Sequence, residues 1–176
     1  QEEASELLEG ALRKSIELQS IADVPLGCFL SGGVDSSLIV SLMQAGSFSP
    51  VHSYSIGFNE SGYNEAIYAK EVAKHLGTNH TELYVSAEDA LSVVPKLPSL
   101  YDEPFADSSQ IPTYLVSKMA RDHVTVALSG DAGDELFGGY NRYLRAPSLW
   151  KLISSFPKSL RPLVSGSINL FPSSLL

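Results

Sequence analysis

A chain of 176 residues is the size of one domain, and 44% hydrophobic against 18% charged residues supplies enough apolar material for a core, which excludes a disordered tail. The formal net charge of −8 excludes a general binder of nucleic acid or anionic membrane, which needs a basic face. Nucleotides stay open, because backbone N–H groups, helix N-termini and Mg²⁺ can hold phosphates without net positive charge.

Cys28 is the single cysteine, so no intrachain disulfide framework is available and a reducing, cytoplasmic compartment is expected. No apolar run approaches the ~20 residues of a membrane-spanning helix. Gln1-Glu2-Glu3 is not the basic start of a signal peptide. Without an initiator Met, the chain reads as a piece of something longer.

In chain order, Leu7, Leu8, Ala11, Leu12 and Ile16 recur at helical spacing and predict a helix from Ala4 to Ile21. Val24 to Leu30 is an apolar run that fits a strand covered on both faces. A glycine turn, Ser31-Gly32-Gly33-Val34-Asp35, leads into a helix from Ser36 to Ala45 that Gly46 ends. Val51 to Phe58 alternates Tyr54, Ile56 and Phe58 on one face of a second strand. Asn64 to Leu76, closed by Gly77, is a helix, and Thr81 to Val85 a third strand.

Two further helices are expected over Ala87 to Leu97 and Ile111 to Arg121, with an acidic loop from Pro98 to Gln110 between them. His123 to Leu128 is a fourth strand, followed by a second glycine-rich loop, Ser129 to Tyr140. The alternation predicts right-handed βαβ crossovers, hence an α/β fold with a parallel twisted sheet and helices on both faces. Ligands of such sheets sit beyond the carboxyl ends of the strands, where both glycine loops fall. From Ser148 to Leu176, Pro157, Pro162 and Pro172 break up apolar clusters. This gives an expected division into a core over 1–147 and the start of a truncated helical region over 148–176. Apolar clusters of that kind favour self-association, which leaves a homo-oligomer open.

The first loop, Ser31-Gly32-Gly33-Val34-Asp35-Ser36-Ser37, suits an anion: glycines allow consecutive N–H groups to face one point, and the new helix adds its positive end. Asp35 would repel a phosphate unless a cation lies between, so it implies Mg²⁺. No Lys follows the glycines, which excludes a Walker A loop. Taken alone, the segment also fits a tight strand-to-helix turn with no ligand. In the second loop, Asp131, Asp134 and Glu135 follow an apolar strand, and such carboxylates need solvent or a compensating charge. Asp134 could share a cation with Asp35, and Asp131 could contact a reacting carboxylate or its attacking amine. A solvated acidic loop capping the next helix is the alternative.

Ser31 to Ser37 resembles the S-G-G-x-D-S signature of the ATP-pyrophosphatase, or PP-loop, enzymes, whose fold is that of the adenine nucleotide alpha-hydrolases. Ser129 to Tyr140 resembles the S-G-[ED]-x-x-D-E-x-F-x-G-Y segment of glutamine-hydrolysing asparagine synthetases and of β-lactam synthetases. Tyr63 to Gly77 is similar to the helix after their second strand, so the resemblance covers residues 7 to 147.

The resemblance implies ATP cleaved to AMP and pyrophosphate. Ser31, Gly32, Gly33, Asp35, Ser36 and Ser37 would hold the phosphates, and Asp35 and Asp134 the Mg²⁺–pyrophosphate. The backbones around Leu30, Ile56, Ser129 and Gly130 would hold adenosine. Asp131, Asp134 and Glu135 are the catalytic candidates. Asp131 stands where most asparagine synthetases carry Glu, and Ser108 near where the better-known ones carry Arg, so this chain is closer to the branch reading D-E-P-F-A-D-S-S.

The implied reaction is ATP-dependent amidation of a carboxylate, aspartate first, with ammonia from an N-terminal glutaminase domain that this chain lacks. Alone, the chain is expected to be inactive. A β-lactam synthetase, a polysaccharide-pathway amidotransferase and a non-catalytic ATP-binding module are the rival readings. Cys28 is expected to be a buried structural thiol, and His52, His75, His80 and His123 have no metal-ligand spacing. Arg142 and Arg145 are expected on a solvated helix face.

Overall fold

The computed structural model describes residues 2–59, 64–104, 106–155, 157 and 158. Compactness divides the chain into Gln1–Asp131 and Ala132–Leu176. The first unit holds β1 (Leu26–Phe29), β2 (His52–Phe58), β3 (Asn79–Val85) and β4 (Val126–Leu128) in one sheet ordered β3-β2-β1-β4. All three strand pairings are parallel, as the alternation of strands and helices requires.

From β1 the chain winds outward through α2 (Val34–Ala45) and α3 (Ala66–Leu76) to β2 and β3. It then returns through α4 (Ala87–Val93), α5 (Leu97–Leu100) and α6 (Gln110–Ala120) to place β4 on the other side of β1. The direction of winding therefore reverses between β1 and β4, and open parallel sheets bind ligands at the carboxyl ends of such a strand pair.

Period-two alternation sends neighbouring residues of β1 to opposite faces. Cys28 and Leu30 pack with Ile16 of α1 (Glu2–Gln19), with Val40 of α2, and with Ala69 and Ala73 of α3. On the other face Phe29 joins Tyr54, Ile56, Val116 and Ala120, so α6 covers that side. Gly27 is required beneath the Tyr54 ring, because a Cβ there would lie 2.8 Å from Tyr54 Cε2 and 3.1 Å from the His52 carbonyl oxygen. Burial pushes the Cys28 thiol up to about 12, which makes it a structural apolar group.

Several element boundaries differ from the sequence expectation. The helix expected over Ala87 to Leu97 is three short pieces: α4, a 3-10 turn at Val94–Lys96, and α5. Pro95 and Pro98 each remove a backbone donor, which stops one ladder from running through. α5 thereby occupies the start of the expected acidic loop. The second glycine loop is not wholly irregular, since it contains α7 (Gly133–Phe137), with Asp134 and Glu135 in its first turn and Gly138 in the left-handed conformation at its end. α8 (Asn141–Ser154) carries Pro147 in its interior, so the expected division at 147/148 falls within a helix and the compact units part at 131/132. Tyr63 and Phe105, and residues 159–176 of the proline-broken segment, lie outside the described residues.

Between β2 and β3 the His80 imidazole is held on both nitrogens, with Ser53 Oγ 2.8 Å from Nδ1 and Ser55 Oγ 3.1 Å from Nε2. Both serines are buried, and burial holds His80 below the ordinary imidazole range. Below its ordinary pKa of about 6.5 the unfolded chain takes up a proton that the native imidazole resists, so His80 contributes stability at neutral pH that is lost as pH falls. Urea unfolding should therefore show a midpoint that falls between pH 7.5 and pH 5.5 more steeply in the parent than in His80→Asn. Equal slopes would contradict this account of the imidazole.

Candidate functional site

β1 gives way to the first loop at Leu30, which is buried and whose N–H donates to the Tyr54 carbonyl at 2.8 Å. The loop is folded on its own hydroxyls. The Ser31 N–H donates to Ser36 Oγ at 3.2 Å, the Gly33 N–H donates to Ser31 Oγ at 3.2 Å, and the two hydroxyl oxygens lie 2.9 Å apart. Ser36 Oγ in turn lies 3.3 Å from the Gly33 carbonyl.

Gly32 takes φ of +81°, and a Cβ there would stand 2.6 Å from the Ala69 nitrogen and 2.7 Å from Tyr68 Cβ, so α3 walls the loop. Gly33 caps α2 with no side-chain bond, which leaves the N–H groups of Val34, Asp35 and Ser36 as the open first turn of a helix. Ser37 Oγ is buried without a hydrogen-bond partner among the described residues. These donors suit an oxyanion.

The second loop arrives from β4, whose Leu128 is in register with Cys28. Two residues on, Gly130 lies against the start of α2, where an added Cβ would be 2.6 Å from the Ser36 nitrogen and 2.9 Å from Asp35 C and Ser36 Cα. Ser129 and Gly130 are half-buried there. Asp131 turns back on its own loop, accepting from Ser129 Oγ–H at 3.0 Å. Ile56 is half-buried on β2, two residues beyond the Phe29–Tyr54 pair, at the level where β1 has already become loop. In the first unit Leu30 to Ser37, Ile56, and Ser129 to Asp131 thus all lie at or near the carboxyl ends of β1, β2 and β4, and Gly130 meets Asp35 and Ser36 there.

The remaining sequence candidates belong to the second unit. Ala132 opens α7 with φ of +73°, a left-handed conformation that costs a residue with a Cβ roughly 1–2 kcal/mol. The Asp134 carboxylate folds over Gly139, where any Cβ would collide with its Oδ1. Glu135 accepts the Tyr140 hydroxyl at 2.7 Å, which holds its carboxyl below the usual range. Among the described residues no group of three or more His, Cys, Asp or Glu could hold a metal by itself. Asp35 at the head of α2 and Asp134 in the first turn of α7 are each single carboxylates, the kind of ligand Mg²⁺ takes when phosphate oxygens and water complete its shell.

Two features were out of reach of sequence reasoning. The Gly32–Ala69 and Gly130–Ser36 approaches join residues far apart in the chain, and a glycine that serves backbone packing looks like any other loop glycine. Because the atoms facing Gly130 are all backbone, Gly130→Ala should destabilise the fold by about 1–3 kcal/mol, read from urea unfolding. A variant as stable as the parent would show that the two loops do not meet as described.

With that geometry in place, comparison with known proteins is informative. The family model for asparagine synthase matches residues 7–173. Asparagine synthetase [glutamine-hydrolyzing] 1 of Bacillus subtilis is 41% identical over 166 residues, which are 94% of this chain and 26% of that protein. A putative asparagine synthetase [glutamine-hydrolyzing] 2 of Methanocaldococcus jannaschii is 44% identical over 161 residues, covering 91% and 30%. The chain therefore spans under a third of these relatives.

Among solved structures, an NH3-dependent NAD synthetase from Campylobacter jejuni aligns with a TM-score of 0.53 at 14% identity, over 78% of this chain and 62% of that one. An NMN synthetase from Francisella tularensis aligns at 0.51 and 17%, over 81% and 59%. At such identities the likeness concerns fold alone, a parallel sheet with helices. Fold, paired glycine loops and family match agree, and the chain belongs to the asparagine synthase family, of which it is the synthetase domain.

Proposed function

We propose that this domain binds Mg·ATP in the crevice between the two loops and activates a carboxylate by adenylation, and that in the whole protein the product is asparagine. The observation that carries the reading is the backbone approach of Gly130 to Asp35 and Ser36. It sets the open first turn of α2 beside the strand end from which the second loop departs. Family membership supplies the choice of amidation over the other chemistries of this fold.

Position within the first unit and family membership support the proposed roles. Ser31 to Ser37 hold the β- and γ-phosphates through backbone N–H groups and hydroxyls. Leu30, Ile56, Ser129 and Gly130 hold adenosine through their backbones. Asp35 and Asp134 are the carboxylates for Mg²⁺, which when bound offsets the charge of the pyrophosphate leaving group. An oxygen of the acceptor carboxylate attacks the α-phosphorus, and the bond from that phosphorus to the bridging oxygen breaks to release pyrophosphate. Ammonia then attacks the acyl carbon, AMP departs and a proton is lost. Asp131 and Glu135 are the remaining carboxylates for the acceptor or the ammonia proton. Aspartate is the proposed acceptor, an N-terminal glutaminase domain the proposed source of ammonia, and the cytoplasm the proposed location.

The test combines binding and products. Asp35→Ala and Asp134→Ala should each weaken Mg·ATP binding about tenfold or more by calorimetry, with far-UV circular dichroism unchanged. The complete protein should convert labelled ATP to AMP and pyrophosphate. Unimpaired binding by the double variant, or ADP as the main product, would overturn the reading.

A further inference from the structure

We propose that Ser36 is a positioning residue of the first loop, one that sets the loop's open N–H groups for an oxyanion without itself donating to it. This rests on the reading above and separates one hydroxyl of the loop from the donors that meet the ligand.

A serine hydroxyl has one proton to give and two lone pairs to accept with. Ser36 Oγ accepts the Ser31 N–H at 3.2 Å, lies 2.9 Å from Ser31 Oγ, and lies 3.3 Å from the Gly33 carbonyl oxygen. Its single proton therefore goes either to Ser31 Oγ or to the Gly33 carbonyl, and in both arrangements none is left for a phosphate oxygen. Ser36 is also buried, at 8% exposure, and an added Cβ on Gly130 would press on its nitrogen and Cα. Turning the hydroxyl toward a ligand would take the acceptor from the Ser31 N–H, so the bond gained would be offset by a bond lost.

What Ser36 holds is the path from strand to helix. Ser31 Oγ accepts the Gly33 N–H at 3.2 Å, so hydrogen bonds run from the first turn of α2 through Ser31 to Gly33. Gly33 caps α2 with no side-chain bond of its own, and the N–H groups of Val34 and Asp35 follow directly. Fixing Gly33 therefore fixes the direction of those two donors. Donors ordered before the ligand arrives spare binding the entropy of ordering them.

The experiment is calorimetry with Mg²⁺–pyrophosphate on the parent chain, Ser31→Ala, Ser36→Ala and the double variant, with urea unfolding of each. Ser36→Ala should bind about tenfold more weakly, a change that a hydroxyl serving stability alone would not produce. In the Ser31→Ala background, where the hydroxyl pair is already broken, the same substitution should cost about threefold or less. Ser36→Cys, similar in size but a weak acceptor, should repeat the loss and serves equally if the Ala variant does not fold. Equal losses in the two backgrounds would show Ser36 meeting the ligand independently of Ser31 and would overturn the proposal. Parent-like affinity in Ser36→Ala and Ser36→Cys would overturn it too, and both outcomes leave the ATP reading standing. A parent that does not bind the probe would overturn both.

Discussion

A glycine backbone pressed onto the first turn of a helix is the contact on which the site depends. Gly130 reaches Asp35 and Ser36 closely enough that a single added carbon would stand 2.6 Å from a main-chain nitrogen. The contact is possible only because β4 pairs directly with β1, which sets the exits of the two strands side by side. That pairing in turn requires the chain to wind out to β3 and come back, so the strand order β3-β2-β1-β4 and the loop contact are one constraint at two scales. Gly32 against α3 fixes the other wall in the same way, with the Ala69 nitrogen and Tyr68 Cβ as the limiting neighbours.

Such a site can hold a polyanion within a chain of net charge −8 because its attraction is local. The open N–H groups at the head of α2 act over a few ångströms, within the range in which a helix terminus matters. Overall charge acts over longer distances and is screened by salt. Under the proposed reading, carboxylates beside phosphates are an asset when a divalent cation lies between them. The Ser31–Ser36 hydroxyl pair has a different role: it ties the loop to itself and shapes the turn before any ligand is present.

Much of this was legible in the residues. Apolar periodicity located the four strands and the helices α1, α2, α3 and α6 to within a few residues, because burial on one or both faces leaves a regular pattern. The winding order was less visible, since nothing in β4 itself says that it pairs with β1. Prolines misled in opposite ways: Pro95 and Pro98 divide what looked like one helix, whereas Pro147 is accommodated inside α8. The hydroxyl–imidazole chain from Ser53 through His80 to Ser55 was invisible because it joins neighbouring strands.

The central claim is that the two loops are one binding surface, and the direct measurement is amide chemical-shift mapping during titration with Mg²⁺–pyrophosphate. The amides of Ser31 to Ser37 and of Ser129 to Asp131 should shift together, with one common midpoint. Shifts confined to one loop, or two loops titrating with separate midpoints, would contradict the account.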